Sequence, residues 1–303
     1  MLDLFVKAVA YSSCIGIGAT SITLIYNATK TFNFAHASLV AWGMYVVFAS
    51  THLIGHTPYH HFLLAALFGS LIGGSIYATV NRRLLKAKAK EITLMMSTLG
   101  VDLVLYGFLN VFSDYLLRVH RLPAKYFIFE TRDIAIVLGP FSVRLIGLVA
   151  PVVLVSIVVL LHTFLTRTKL GVSMRAGIEN PELASLSGIN LEVTYLIAWL
   201  VGGALAGLSG GMLTLVVTGY TEAGMTMVVS FFAGAIAGGL YSIYGALLGG
   251  FLVGLGEYLG VSALATLVGG WIYAYRPAIP LVVIATTLLI QPGGLAVLWG
   301  GRK

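Results

Sequence analysis

The sequence predicts an all-α, polytopic membrane protein: a bundle of about eight spanning helices with short broken or re-entrant ones among them. Three observations predict it. Hydrophobic residues make up 58% of the chain and charged residues only 10%, whereas a soluble domain carries about 25% charged residues. The apolar residues fall in long runs, and a spanning helix needs ~20 of them at about 1.5 Å each. A single polar island, residues 169–190, lies between two such runs. No stretch is large enough to build a soluble core, so residues 1–303 read as one transmembrane domain.

In chain order the apolar stretches are 4–25, 33–50, 61–80, 92–112, 145–166, 191–217, 225–241 with 242–262 following, and 277–291. The second and seventh are short, glycine-interrupted or polar at one end. Lysine and arginine collect in cytoplasmic loops. With the N-terminus outside, eleven of them fall inside and seven outside, and the dense cluster Arg82–Lys90 lies inside. That orientation puts the C-terminus and the island 169–190 in the cytoplasm. Residues 113–144 form the longest outer segment. Within it Asp133 to Leu138 and Phe141 to Leu145 flank Gly139-Pro140 as a hairpin or an irregular loop.

The island contains a helix signal. Pro181 suits a first turn, where its missing N–H costs nothing. Glu182 then sits at the positive helix end. Gly188 suits the left-handed residue that ends a helix. The island is read as one short helix outside the bilayer. Glycines recur at four-residue spacing in Gly203, Gly207 and Gly211, and again in Gly234 with Gly238 and Gly245 with Gly249. Small residues on one face let helix backbones approach closely in lipid.

Catalytic constellations are weak. Gly207-Leu208-Ser209-Gly210 resembles the G-x-S-G of intramembrane serine proteases, but every histidine precedes Ser209, and such a serine needs a base in reach. No zinc H-E-x-x-H motif and no phosphate-binding Walker loop occurs. His52, His56, His60 and His61 read as a solvated loop or a metal site. Cys14 is the only cysteine, which leaves no intramolecular disulfide. Ionisable groups at membrane depth default to functional hypotheses. Asp102 and Glu257 are the clearest, each read either as lining a path or as bonded to a neighbouring helix. Asn33 and His36 lie one helical turn apart and share a face. A helix beginning there, beside Phe34, would start at a cavity inside the membrane.

These pieces resemble the permeases of branched-chain amino acid ABC importers of the Liv type, a family that also serves amides and urea. Phe32-Asn33-Phe34-Ala35-His36 resembles the family's N-F-A-H-G-E signature, with Ala37 and Ser38 in place of its last two residues. Met174 to Asn190 resembles the family's cytoplasmic coupling loop. Within it Glu182 to Gly188 resembles E-A-A-x-x-x-G, with Leu183 for one alanine. Gly238-Gly239-Leu240-Tyr241-Ser242 resembles a G-G-x-G-S turn, and Pro292-Gly293-Gly294-Leu295 a P-x-G-L tail. The resemblance implies a non-catalytic transport subunit of the cell (plasma or inner) membrane that binds no cofactor itself. It implies a second, related permease chain, two ATP-binding subunits holding ATP and Mg, and an extracytoplasmic substrate-binding protein. The coupling helix at 176–188 would seat in an ATPase groove, with Arg175, Glu179, Glu182, Ala184 and Gly188 as its coupling residues. The translocation path is expected along Asn33, Phe34, His36, Asp102 and Glu257. The alternatives are an ion-coupled carrier or passive channel for a small polar solute, and the same architecture importing urea or amides.

Overall fold

The computed structural model describes residues 2–138 and 141–299. Every apolar stretch is helical over most of its length. In chain order the elements are α1 (Leu2–Thr29), α2 (His36–Leu53), α3 (Phe62–Ile76), α4 (Arg82–Lys86), α5 (Glu91–Val119), β1 (Ala135–Leu138), β2 (Phe141–Arg144), α6 (Ile146–Arg167), α7 (Lys169–Glu179), α8 (Pro181–Leu186), α9 (Leu191–Leu213), α10 (Ala223–Gly238), α11 (Ile243–Val268) and α12 (Ala278–Ile290). Among the described residues six helices are long and apolar enough to cross a membrane: α1, the continuous stretch Pro58–Lys86 through α3 and α4, α5, α6, α9 and α11. The expected spans thus resolve into these six and the shorter α2, α10 and α12. The chain is a multi-pass membrane protein.

α1 is the central helix, lying against α6, α9, α10 and α11. Apolar side chains cover all its faces, so neighbours surround it. Its hydroxyl groups find acceptors in place. Ser12 donates to the Ala8 carbonyl at 2.5 Å, Thr20 to Gly16 at 2.8 Å, and Ser21 crosses to the Gly202 carbonyl at 2.6 Å. Cys14 is buried and free. Ser209, the serine of the G-x-S-G match, donates to the Cys14 carbonyl at 2.8 Å and so serves packing here.

Glycine sets the closest helix approaches. A Cβ on Gly69 of α3 or on Gly203 of α9 would run into the other's carbonyl oxygen. Gly234 of α10 meets the Gly250 backbone of α11 in the same way. Without water to expel, such backbone proximity is what drives helix association in lipid.

Charged residues mark the two ends of the bundle. At one end Lys7 binds Glu130 at 2.6 Å and Asp3 at 3.3 Å, beside the β1–β2 hairpin. At the other, Arg82 and Lys86 reach Glu192 at 2.6 and 2.7 Å. These are called the hairpin end and the basic end. The hairpin read as one alternative for residues 133–145 is present as an antiparallel pair, Ala135 opposite Arg144 and Leu138 opposite Phe141; its Gly139-Pro140 turn lies outside the described residues. Asp133 anchors it, accepting from the Tyr59 hydroxyl at 2.5 Å and from the Ile146 amide at 3.4 Å. Burial holds the Asp133 carboxyl above its ordinary range, against the opposing pull of those hydrogen bonds.

Candidate translocation path and coupling surface

The polar island forms two helices where one was expected. Thr168 caps α7, its hydroxyl accepting the Gly171 amide at 3.0 Å. Asn180 then breaks the chain and caps α8, accepting the Leu183 amide at 3.0 Å, with Pro181 in the first turn. Gly188 has φ +81°. Its amide bonds the Ser185 carbonyl at 3.0 Å, and the Ile189 amide bonds Ala184 at 3.0 Å. That pair of bonds is the Schellman ending, which needs a left-handed residue at this position. Arg175, Glu179, Glu182 and Gly188 are exposed. Ala184 is not: it is 4% exposed and turned inward. The largest apolar side chains offered by α8 are Leu183 and Leu186, 60% and 86% exposed. In the sequence Leu183 stands out only as the replacement for one alanine of the motif, and Leu186 carries no signal in so apolar a chain.

The break between α1 and α2 is held by α5 and by the turn after α3. Lys30 has φ +52° and ends α1. Asn81, at the end of the wide turn Tyr77–Asn81, donates to the Thr31 hydroxyl at 3.2 Å. Along α5, Thr98 accepts the Phe34 amide at 3.1 Å, and Asp102 accepts the Ser38 amide at 3.0 Å. The Leu105 carbonyl accepts from Trp42 at 3.2 Å. Positions 98, 102 and 105 share one face of a helix, so α5 offers a ladder of acceptors to a helix that starts inside the membrane. Asp102 lies roughly 16 Å from the Glu91 end of an α5 roughly 43 Å long. Its carboxylate is thus turned onto the first turn of α2, where an anion is favoured by the helix dipole. Of the two readings of Asp102, the bonded one describes this conformation.

α2 begins at His36, so Asn33 and Phe34 lie in the turn before it and not on a shared helix face; the His36 amide donates to the Asn33 carbonyl at 3.3 Å. Asn33 is 1% exposed and His36 fully buried. Among the described residues, both side-chain polar atoms of Asn33 and the His36 Nε2 have no hydrogen-bond partner, nor does the Asn27 Oδ1. Aromatic rings surround the break: Phe34 and Phe232 are 5.2 Å apart, His36 and Phe231 5.1 Å, and Tyr26 and Phe32 4.5 Å. Glu257 stands elsewhere, toward the hairpin end. It binds Arg276 at 2.7 Å and accepts from Tyr11 at 2.9 Å. The Arg276 guanidinium lies 4.2 Å from the Tyr11 ring centre and 5.3 Å from that of Tyr258. Among the described residues no three His, Cys, Asp or Glu side chains gather as metal ligands. His52 and His61 lie 2.9 and 2.8 Å from the carbonyls of Phe48 and Gly55.

One acid escaped the sequence reading. Glu222 follows Gly219-Tyr220-Thr221 and reads as part of an outer loop. In the fold it begins α10 and accepts from the Tyr106 hydroxyl at 2.6 Å. Tyr106 lies roughly 22 Å along α5, near its middle. The partly or fully open positions of α10 and its N-cap are Glu222, Met225, Thr226, Val228, Val229, Phe232 and Ile236, while Ala223, Met227, Ser230 and Phe231 are buried. They form a strip running from the stacked Tyr126 and Tyr220, 5.8 Å apart, through Glu222 and Tyr106 to Phe34 and Phe232. The helical period of the strip was the available signal. A separate cleft of about 520 Å³ between α10, α11 and α12 is lined by Ala237, Val253, Val283 and Thr287 among others, without a charged side chain.

A central helix, a second helix broken at depth and a two-helix projection between α6 and α9 are the features against which known proteins can be compared. The family model described as "Branched-chain amino acid transport system / permease component" matches residues 4–291. The chain belongs to this permease family. The permease is 34% identical over 288 residues to the "Probable branched-chain amino acid transport permease protein LivH" of Methanocaldococcus jannaschii, covering 95% of this chain and 90% of the relative. It is 25% identical to the LivH permease of Salmonella typhimurium, covering 95% and 93% of the two chains. It is likewise 25% identical to the BraD permease of Pseudomonas aeruginosa, covering 97% and 95%. No solved structure matches the permease.

Proposed function

We propose that this chain is the non-catalytic permease subunit of an ATP-binding-cassette importer that moves branched-chain or closely related amino acids into the cytoplasm. The observation that carries the reading is the α7–α8 projection. It presents exposed Leu183 and Leu186 beside Glu182 on a rigid, doubly capped element, a shape suited to a groove on a soluble partner. Family membership and the names of the relatives supply the substrate class. The basic end, with α7 and α8, faces the cytoplasm, and the hairpin end faces outward, where a substrate-binding protein docks. Two ATPase subunits hold ATP and Mg; this chain holds no cofactor. The strip along α10 faces a second, related permease chain, so that substrate passes between the two. Residues 1–303 act as one transmembrane domain.

Closure of the ATPases on ATP moves α8 through its grip on Leu183 and Leu186. α8 is tied to α9 through the short turn at Gly188, and α9 lies against α1, α2 and α3. Motion of α9 therefore reaches the break at residues 30–35, where Asn33, Phe34 and His36 line the path. Asp102 keeps the start of α2 intact while it moves, and Glu257 holds the hairpin end together through Arg276.

The test is extraction from the native membrane in mild detergent, with a crosslinker placed at Leu186. Recovery of two ATPase subunits, a second permease and leucine binding by the accompanying binding protein is the expected result. A binding protein selective for amides or urea would move the substrate class. A chain recovered alone, with no crosslinked ATPase, would sink the reading in favour of a carrier or channel.

A further inference from the structure

Asp102, Glu222 and Glu257 differ in what they face. Asp102 bonds the Ser38 amide and Glu257 bonds Arg276. Glu222 has the Tyr106 hydroxyl as a partner and, among the described residues, no cation within ion-pair distance. Lys125, whose charge it feels through space, is bound to Asp114 at 2.7 Å. Glu222 is half-buried, at the middle of α5, on the open strip that also carries Thr226 and Tyr220, whose hydroxyls lie 3.0 Å apart. A carboxylate on that strip, without a cation of its own among the described residues, is open to a positive charge that passes along it.

Resting on the function proposed above, we infer that Glu222, oriented by Tyr106, receives the ammonium group of the amino acid as it passes from the outer segment into the path. A zwitterionic substrate brings one ammonium to one carboxylate. Charge-assisted hydrogen bonds between them are about twice as strong as neutral ones. The Tyr106 hydroxyl orients the carboxylate by donating to one of its oxygens at 2.6 Å. The apolar neighbours Met225, Val229 and Phe232 on the same face suit a branched aliphatic side chain. Glu222 is thus a specificity-determining residue for the transported amino acid, separate from the selection made by the binding protein.

The experiment uses the complete complex in proteoliposomes with labelled leucine. Glu222→Gln is expected to lower uptake about tenfold or more. Assembly, and ATP hydrolysis stimulated by the loaded binding protein, should stay within about twofold, since docking and coupling do not pass through this side chain. Glu222→Asp should recover part of the uptake, and Tyr106→Phe should fall between. A second readout is direct. Because Cys14 is buried, a Thr226→Cys variant offers a single exposed thiol on the strip. Leucine should protect it from a maleimide, 4-methylpentanoate, which lacks the ammonium, should not, and adding Glu222→Gln should abolish the protection. Undiminished uptake or protection in Glu222→Gln overturns the inference alone. Loss of assembly in Glu222→Gln overturns it too, assigning the acid to an ion pair with the second permease. A wild-type complex that takes up no leucine overturns the proposed function, and this inference with it.

Discussion

Ser38 and Asp102 hold each other in both directions. The Asp102 carboxylate accepts the Ser38 amide at 3.0 Å, and the Ser38 hydroxyl donates to the Asp102 carbonyl at 3.1 Å. A helix that starts inside a membrane has orphan amides and no water to satisfy them. Here a neighbouring helix supplies the cap that Ala35, at the N-cap position of α2, cannot. Asp102→Ala leaves a buried amide unpaired and should cost about 1–3 kcal/mol. Asp102→Asn keeps an acceptor oxygen and should cost less. Thermal unfolding in detergent should rank wild type above Asn above Ala; an Ala variant that melts with wild type would remove the capping role.

Gly188 sets the exit from α8. Proline there would force φ to about −65° against the observed +81° and would delete the amide that bonds Ser185. Gly188→Pro should therefore abolish transport while the chain still inserts at normal abundance. Gly188→Ala keeps the amide and pays about 1–2 kcal/mol for the left-handed conformation, so it should weaken transport only. Uptake assays with membrane quantification decide it, and normal uptake by the proline variant would refute the coupling role.

Leu186 is 86% exposed and contributes little to the permease's own packing. Leu186→Asp should leave the melting temperature of the isolated permease unchanged yet remove copurifying ATPase. Ala184→Asp, at a site 4% exposed, should instead loosen the projection itself, seen as faster proteolysis between α6 and α9. ATPase retention in Leu186→Asp would place the docking surface elsewhere.

Gly207 is where α2, α3 and α9 converge. A Cβ there would overlap the Ala65 carbonyl oxygen, and the Gly207 carbonyl blocks a Cβ on Gly43. Gly207→Ala should destabilise by about 1–3 kcal/mol through overpacking. Gly100 and Gly107 on α5 face open space, so alanine there should stabilise by about 0.5–1 kcal/mol. Melting temperatures of the three variants test the contrast; equal shifts would contradict the seam.

Much of the fold was legible because lipid allows little else. Backbone amides at membrane depth must be bonded inside the protein, and a helix bonds nearly all of its own, so the runs of apolar residues translate directly into α1, α3, α5, α6, α9 and α11. The short helices were legible from polar interruptions, and α8 from Pro181 and Gly188. α7 was missed because its polar residues read as loop, although Thr168 offered a capping signal. Asn33, Phe34 and His36 stay together because they are neighbours in sequence, but the helix starts at His36 and not before Asn33. Asp102 and Glu257 were recognised as intramembrane acids, but their partners were not recognisable. Ser38 is 64 residues from Asp102, and Tyr11 is 246 from Glu257.

The sequence by itself determined the class, the long apolar spans, the α8 half of the projection and the family, because each rests on composition, periodicity or neighbouring residues. Only the tertiary structure decided the placement of Glu222 and the occupation of Asp102. Placement depends on where α10 starts relative to α5, and occupation depends on which helix faces which. Both are set by the glycine-guided approach of distant helices, and no local pattern encodes that distance.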